Sequence, residues 1–191
     1  MLRQISEQSL AGVNIAGLAE RLQVTTGSFY WHFASRDELI EAALARWESE
    51  RIELIETLLD IPDPRARLER LLLDVYVHRE RSTLFAALQA SASDPRVADL
   101  LRRTTQRRLS FLTATYRELG YPIARARHAA RAAYSLYTGL CEVTRSLPDS
   151  DEHAVSGERL ADYVKYLGSL ILPVPSTSAL PLSPAPAPNE S

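Results

Sequence analysis

From residue 1 to residue 172 the apolar side chains return every three or four positions, with no sustained alternation of the kind a strand would show. A chain patterned this way buries its apolar surface as amphipathic helices. Leu39, Ala43, Trp47 and Leu54 make one stripe, Leu68, Leu71, Leu72 and Val75 a second, and Val97, Leu101, Phe111 and Leu112 a third. Ala126, Ala130, Ala133, Tyr137 and Leu140 form a fourth, rich in small residues and suited to close helix packing. Breaks fall at "DIPDP" (60–64), "SDP" (93–95), "LGYP" (119–122) and "SLPDSDEHAVSG" (146–157), where turn-forming residues gather. The expectation is an all-α fold of eight or nine helices.

The totals bound what such a chain can do. Its 191 residues suffice for one sizeable domain, or for a small domain attached to a larger one. Net charge is −2, so no global basic field exists and any nucleic acid must be held by a local surface. The single cysteine, Cys141, rules out an internal disulfide framework and a multi-cysteine metal site, and in mid-helix it reads as a small core residue. "MLRQISEQSL" lacks the apolar core of a signal peptide, and "LGSLILPV" is too short to span a bilayer. The cytosol is the expected compartment. Residues 173–191 hold six of the eleven prolines and almost no charge, a composition that builds no core and predicts a disordered tail.

One stretch stands apart. "VTTGSFYWHF" (24–33) sets Phe29, Tyr30, Trp31, His32 and Phe33 in succession, although the chain has only four Phe and two Trp. On a helix of 100° per residue, Phe29 and Phe33 share the inward face, while Gly27, Ser28 and Trp31 fall on the outward side. Tyr30 and His32 occupy the flanks. This layout suits a groove: the front meets base edges and the flanks reach phosphates on either wall. Thr25 is a good N-cap that leaves the helix N-terminus open to a phosphate, and Gly27 permits close backbone approach. Upstream, Asn14 caps "IAGLAERL", and "QVT" (23–25) makes a short turn, so the segment reads as helix–turn–helix. Downstream, Ser35 and Glu38 of "SRDE" form a capping box that starts a further helix.

"LAERLQVTTGSFYWHFASRDELIEAAL" resembles the DNA-binding segment of the tetracycline-repressor (TetR-like) family. Val24, Thr25, Gly27, Tyr30, His32, Phe33 and Arg36 match that family's pattern in order. The strong resemblance covers about residues 2 to 47. It implies a dimeric transcription regulator, usually a repressor, with a palindromic operator and a helical C-terminal domain that binds a small-molecule effector. Under it, Thr26, Ser28 and Trp31 face bases, and Asn14, Thr25, Tyr30, His32 and Arg36 hold the backbone. The implied division is a helix-turn-helix domain at 1–46, a ligand-binding and dimerisation domain at 47–172, and the tail.

Three departures accompany the match. "MLRQISEQS" is shorter than the family's first helix and lacks its basic lead-in, so either that helix is shortened or the chain starts upstream of Met1. Gln23 stands where a turn glycine is common. Gly17 sits inside a helix at a cost of about 1 kcal/mol against Ala. A helical binding or scaffold protein that keeps this fold without binding DNA is the alternative reading.

Elsewhere the signals are weaker. The runs "RRTTQRR" (102–108) and "RARHAAR" (125–131) are expected to be solvated helix faces. Arg108 is the exception: with Thr104 and Thr105 it falls near the apolar phase of its helix, where a buried guanidinium requires an anion. A protein carboxylate is the expected partner, and a ligand the other option. Tyr76, Phe85, Gln89, Thr105, Arg108, Phe111 and Tyr137 make the candidate effector pocket. The histidines lack metal-ligand spacing, and no Gly-rich phosphate loop or nucleophile motif occurs, so neither an enzyme nor a cofactor or metal protein is expected. The two helices at about 122–146 and 156–172 are expected to dimerise, through Ala126, Ala130 and Ala133 facing Tyr163, Leu167 and Ile171.

Overall fold

A computed structural model describes residues 14–77, 79–147 and 158–172. Eight helices fill them: α1 (Ile15–Leu22), α2 (Thr26–His32), α3 (Arg36–Leu59), α4 (Pro64–Val77), α5 (Arg79–Ala90), α6 (Pro95–Glu118), α7 (Ile123–Ser146) and α8 (Glu158–Ile171). The expected first helix, the loop at 148–157 and the tail lie outside the described residues, as do the side chains of Phe29 and Tyr76. The all-α expectation holds.

Helix starts follow the caps written in the sequence. Asn14 Oδ1 accepts the Gly17 N–H at 2.6 Å. A Cβ on Gly17 would sit 3.0 Å from that same oxygen, so this glycine makes room for the cap of its own helix. Ser35 Oγ accepts the Glu38 N–H at 3.1 Å. The return arm of this capping box reaches one residue further than expected, because Glu38 Oε2 accepts from the Ala34 N–H at 2.6 Å. Asp94 caps α6 by accepting the Arg96 N–H at 2.9 Å, with Pro95 in the first turn, where its missing N–H costs nothing. The 60–63, 91–94 and 119–122 breaks fall where the sequence placed them. The division between α4 and α5 was not foreseen, since no glycine or proline marks it.

Three apolar clusters organise the packing. The head cluster joins Leu18 of α1 and Leu39 of α3, with Ile15 and Phe33 packed against them. The largest cluster gathers Ile40, Leu44 and Trp47 of α3, Phe85 and Leu88 of α5, Val97 and Leu100 of α6, and Leu140 and Cys141 of α7. The third gathers Leu58 of α3, Leu68 of α4, Phe111, Leu112 and Tyr116 of α6, and Ala126, Ala130 and Ala133 of α7. Helix α3 contributes to all three and runs unbroken from the head into the larger part.

The small-residue face expected to pair two subunits is therefore buried within one. Ala126, Ala130 and Ala133 pack in the third cluster, and Leu167 in the largest. Small side chains allow close helix approach, and here α6 makes that approach, with Phe111, Leu112 and Tyr116 filling the space.

The turn between α1 and α2 carries strain. Gln23 adopts φ 55° and ψ 38°, the one non-glycine residue at positive φ among those described. Its N–H reaches the carbonyls of Ala19 and Glu20, and the Val24 N–H donates to Ala19 O at 3.0 Å, closing the end of α1. A side chain in this region clashes with the backbone, whereas glycine does not. Gln23→Gly should stabilise the head by about 0.5–1 kcal/mol. Slower hydrogen exchange at α1 and α2 amides would register the gain; unchanged or faster exchange would show that the turn is not strained.

Candidate functional site

The head presents α2 outward. Thr25 Oγ1 accepts the Ser28 N–H at 3.1 Å, the cap expected of it. Thr26, Gly27, Ser28 and His32 are exposed, Tyr30 is 56% exposed and Trp31 82%. Phe33 turns the other way, half-buried against the Leu18–Leu39 cluster. The Trp31 and His32 rings meet edge to face, centroids 4.8 Å apart. An indole left this open on a seven-residue helix contributes little to the core of its own chain. Asn14 sits at the start of α1 and Arg36 at the start of α3, each flanking α2.

In the larger part the candidate pocket residues divide. Arg108, Phe111 and Tyr137 line one cavity enclosed by α3, α4, α6 and α7. Phe85 stands behind it, stacked parallel on Trp47 at 6.2 Å and tilted against Tyr137 at 5.4 Å. Thr105 holds the wall from outside: its hydroxyl and that of Tyr134, a lining residue, lie 2.8 Å apart in a hydrogen bond. Gln89 is exposed and takes no part in the cavity. Its position at the solvent side of α5 follows from burial of Phe85 and Leu88, which fixes the rotation of that helix.

Sequence reasoning missed Arg51, Tyr134 and Leu71, all of which line the cavity. A signal for Arg51 was present. It lies four residues after Trp47 and seven before Leu58, in phase with the buried face of α3, and is only 4% exposed.

The carboxylate expected opposite Arg108 is absent among the described residues. The guanidinium instead lies over the rings of Tyr137 at 4.5 Å and Phe85 at 5.1 Å. Its Nη1 is buried and makes no hydrogen bond. Burial pushes the Tyr137 phenol up to about 12, so that ring remains a neutral hydroxyl beside the cation. The cavity measures about 30 Å³, room for one water. On the far side of Ile55 and Phe111, which line both spaces, an open groove of about 590 Å³ runs between α3 and α6.

Polar contacts tie the α6 helix along α3 between head and cavity. Arg96 bonds Asp94 at 2.8 Å and Asp37, in the first turn of α3, at 3.0 Å. Two turns on, Arg103 grips Glu48 with two hydrogen bonds of 2.8 and 3.0 Å and also pairs with Asp99. The bidentate guanidinium–carboxylate geometry fixes both distance and rotation of the helices. The remaining charges of the two basic runs behave as expected, with Arg102, Arg107, Arg125, Arg127 and Arg131 exposed. Among the described residues no cluster of His, Cys, Asp or Glu could hold a metal, and no helix is long and apolar enough to cross a membrane.

Comparison with known proteins points in one direction. Residues 2–43 match the family described as bacterial regulatory proteins, tetR family. The chain is 30% identical over 149 residues to the HTH-type transcriptional regulator BetI of Burkholderia mallei (strain NCTC 10229), covering 73% of this chain and 74% of that one. It is 29% identical to BetI of Burkholderia cenocepacia (strain HI2424), with 73% and 75% covered. In fold it is similar to a transcriptional regulator from Rhodococcus sp. Rha1, with a TM-score of 0.71, 20% identity and 90% and 91% of the two chains covered. It is similar too to the ketosteroid transcriptional regulator KstR2 of Mycobacterium tuberculosis, at a TM-score of 0.60, 17% identity and 90% and 88% coverage.

Acid should loosen the α3–α6 contact. The Arg103 guanidinium hydrogen-bonded to Glu48 holds that carboxyl below its ordinary 4.5. A depressed carboxylate stabilises the fold above its unfolded value, and the contribution disappears as pH falls through the folded one. Because Arg103 is partly exposed, the pair is worth only about 0.5–1 kcal/mol. Urea midpoints of the parent and Arg103→Met should differ at pH 7 and converge as pH falls below 4.5 and through the depressed value. A gap that stays constant with pH would mean that the pair contributes nothing.

Proposed function

The chain belongs to the TetR family of DNA-binding transcriptional regulators, a family without enzymatic activity, and from that premise we propose that it is a homodimeric cytoplasmic repressor, released from a palindromic operator by a small molecule. The observation that carries the reading is α2: a capped helix anchored by Phe33 behind and open in front at Thr26, Gly27, Ser28 and Trp31. The front meets base edges in the major groove. Asn14, Thr25, Tyr30, His32 and Arg36 hold the phosphates on either side and set the register.

Dimerisation uses the outer face of α7 and α8. Ala132, Ser135, Gly139 and Val143 are exposed on one side of α7 at intervals of three and four, and a Cβ on Gly139 would meet nothing within 4 Å. Tyr166 and Leu170 are exposed on α8. Large apolar side chains beside a row of small ones let helices of two subunits approach closely. A two-fold interface presents the same patch from each subunit, and its axis is mirrored in the operator. The effector occupies the Arg108 cavity and its extension toward the α3–α6 groove. Opening that space displaces α6, and the Arg96–Asp37 bond transmits the displacement to the root of α3 beside the reading helix. Coupling of about 1–3 kcal/mol is typical of such linked sites.

Selection from random DNA tests the reading directly: it should return an inverted repeat, and a lone half-site or no enrichment would refute a dimeric operator reader. With that site in hand, Ser28→Ala and Trp31→Ala should change base preference by about 1–3 kcal/mol at the affected positions. Tyr30→Phe should weaken all sequences alike, and Arg36→Ala should in addition lower the salt slope by about one unit. Parental preference retained by the Ser28 and Trp31 variants, with altered preference in Tyr30→Phe, would mean that α2 enters the groove by another face.

The interface is tested by Gly139→Arg combined with Leu170→Glu. Light scattering at micromolar concentration should give a dimer for the parent and a monomer for the variant, which should also lose operator binding. A variant that stays dimeric would place the interface elsewhere.

A further inference from the structure

The cavity contains a cation whose buried Nη1 its own walls leave without a hydrogen bond. Arginine remains protonated at every physiological pH, so Arg108 cannot escape burial by losing its proton. The Phe85 and Tyr137 ring faces offset part of the cost of removing that charge from water. They do not accept the Nη1 hydrogens, which have no hydrogen-bond partner among the described residues. Arg51 brings a second guanidinium to the same wall, and no acidic side chain is among its described lining residues. The remaining lining is apolar except for the phenols of Tyr134 and Tyr137, and the Tyr134 hydroxyl is already bonded to Thr105.

We propose that the effector is an amphipathic monocarboxylate whose head group accepts a hydrogen bond from Arg108 Nη1 and whose apolar body lies past Ile55 and Phe111 toward the groove between α3 and α6. This rests on the reading of the larger part as the effector-binding domain. The 30 Å³ cavity admits a head group and little more. A ligand of ordinary size needs several hundred Å³, and the 590 Å³ groove on the other face of Ile55 and Phe111 supplies it. A carboxylate fits better than a phosphate, because a dianion would require more donors than this largely apolar wall offers. In the groove Arg103 is already held by Glu48 and Asp99, and Arg107 stands against the single lining acid Glu56, so selection for an anion falls to Arg108.

The test uses the full chain and three probes of equal chain length: octanoate, octanol and octylammonium. Calorimetry without DNA should show octanoate binding roughly tenfold or more tightly than the other two. Arg108→Met should abolish that preference while leaving octanol within about twofold, and Arg108→Lys should retain part of it. Melting curves establish that both variants fold; the comparison of probes on the parent protein requires neither. Octanol or octylammonium binding as tightly as octanoate would overturn the proposal, as would a preference surviving in Arg108→Met or no octanoate binding at millimolar concentration. Operator titrations with the same probes separate this inference from the reading beneath it. Octanoate bound through Arg108 with operator affinity unchanged supports the anion site and refutes release by this ligand. Release by octylammonium or octanol, but not by octanoate, refutes the anion site and supports release.

Discussion

The inward row of α3 is the constraint on which the other elements depend. Ile40, Leu44, Trp47 and Arg51 recur at three- and four-residue steps along one 24-residue helix, Leu58 follows two turns further on, and all are buried. Leu39, beside the start of that row, belongs to the head cluster. A helix cannot bend its register between one core and the next without breaking hydrogen bonds. The rotation that seats Trp47 on Phe85 therefore also sets the direction from which Leu39 receives Leu18, and with it the placement of α1 and α2. Reading head and larger part are positioned by one rigid element.

The same row explains the polar interior. Arg51 occupies an apolar-phase position of α3, as Arg108 does on α6, and the two converge on one cavity. Hydrophobic residues of similar volume would pack there at no electrostatic cost. A guanidinium with a buried, unbonded Nη1 beside a second arginine is a specialised feature, and the neutral phenol of Tyr137 with the face of Phe85 makes it tolerable in the closed state. Stability alone does not account for that choice.

Between cavity and head, the polar contacts along α6 do a different task from the apolar clusters. Dispersion and burial fix how far apart α3 and α6 lie, but they tolerate sliding along the helix axis. The Arg103–Glu48 fork and the Arg96–Asp37 bond resist sliding because their geometry is directional. Packed interfaces of this kind move between discrete arrangements rather than deforming continuously.

The sequence by itself determined the helices, most of their ends and the layout of the reading helix. Those depend on neighbours within a few residues: Asn14 with Gly17, Thr25 with Ser28, Ser35 with Glu38, Asp94 with Arg96. It also placed Phe33 inward and Trp31 outward, because the angle between them about a helix axis follows from residue number alone. Only the tertiary structure decided which neighbour each face would meet. Helix α7 carries two small-residue faces, Ala126–Ala130–Ala133 and Ala132–Ser135–Gly139, and local periodicity treats them alike; the bulk of Phe111 and Tyr116 on α6 took the first. The partner of Arg108 was equally illegible, since aromatic rings from α5 and α7 reach it across gaps of 23 and 29 residues rather than a carboxylate on a nearby turn. Periodicity fixes directions around one axis, and long-range packing fixes what lies in those directions.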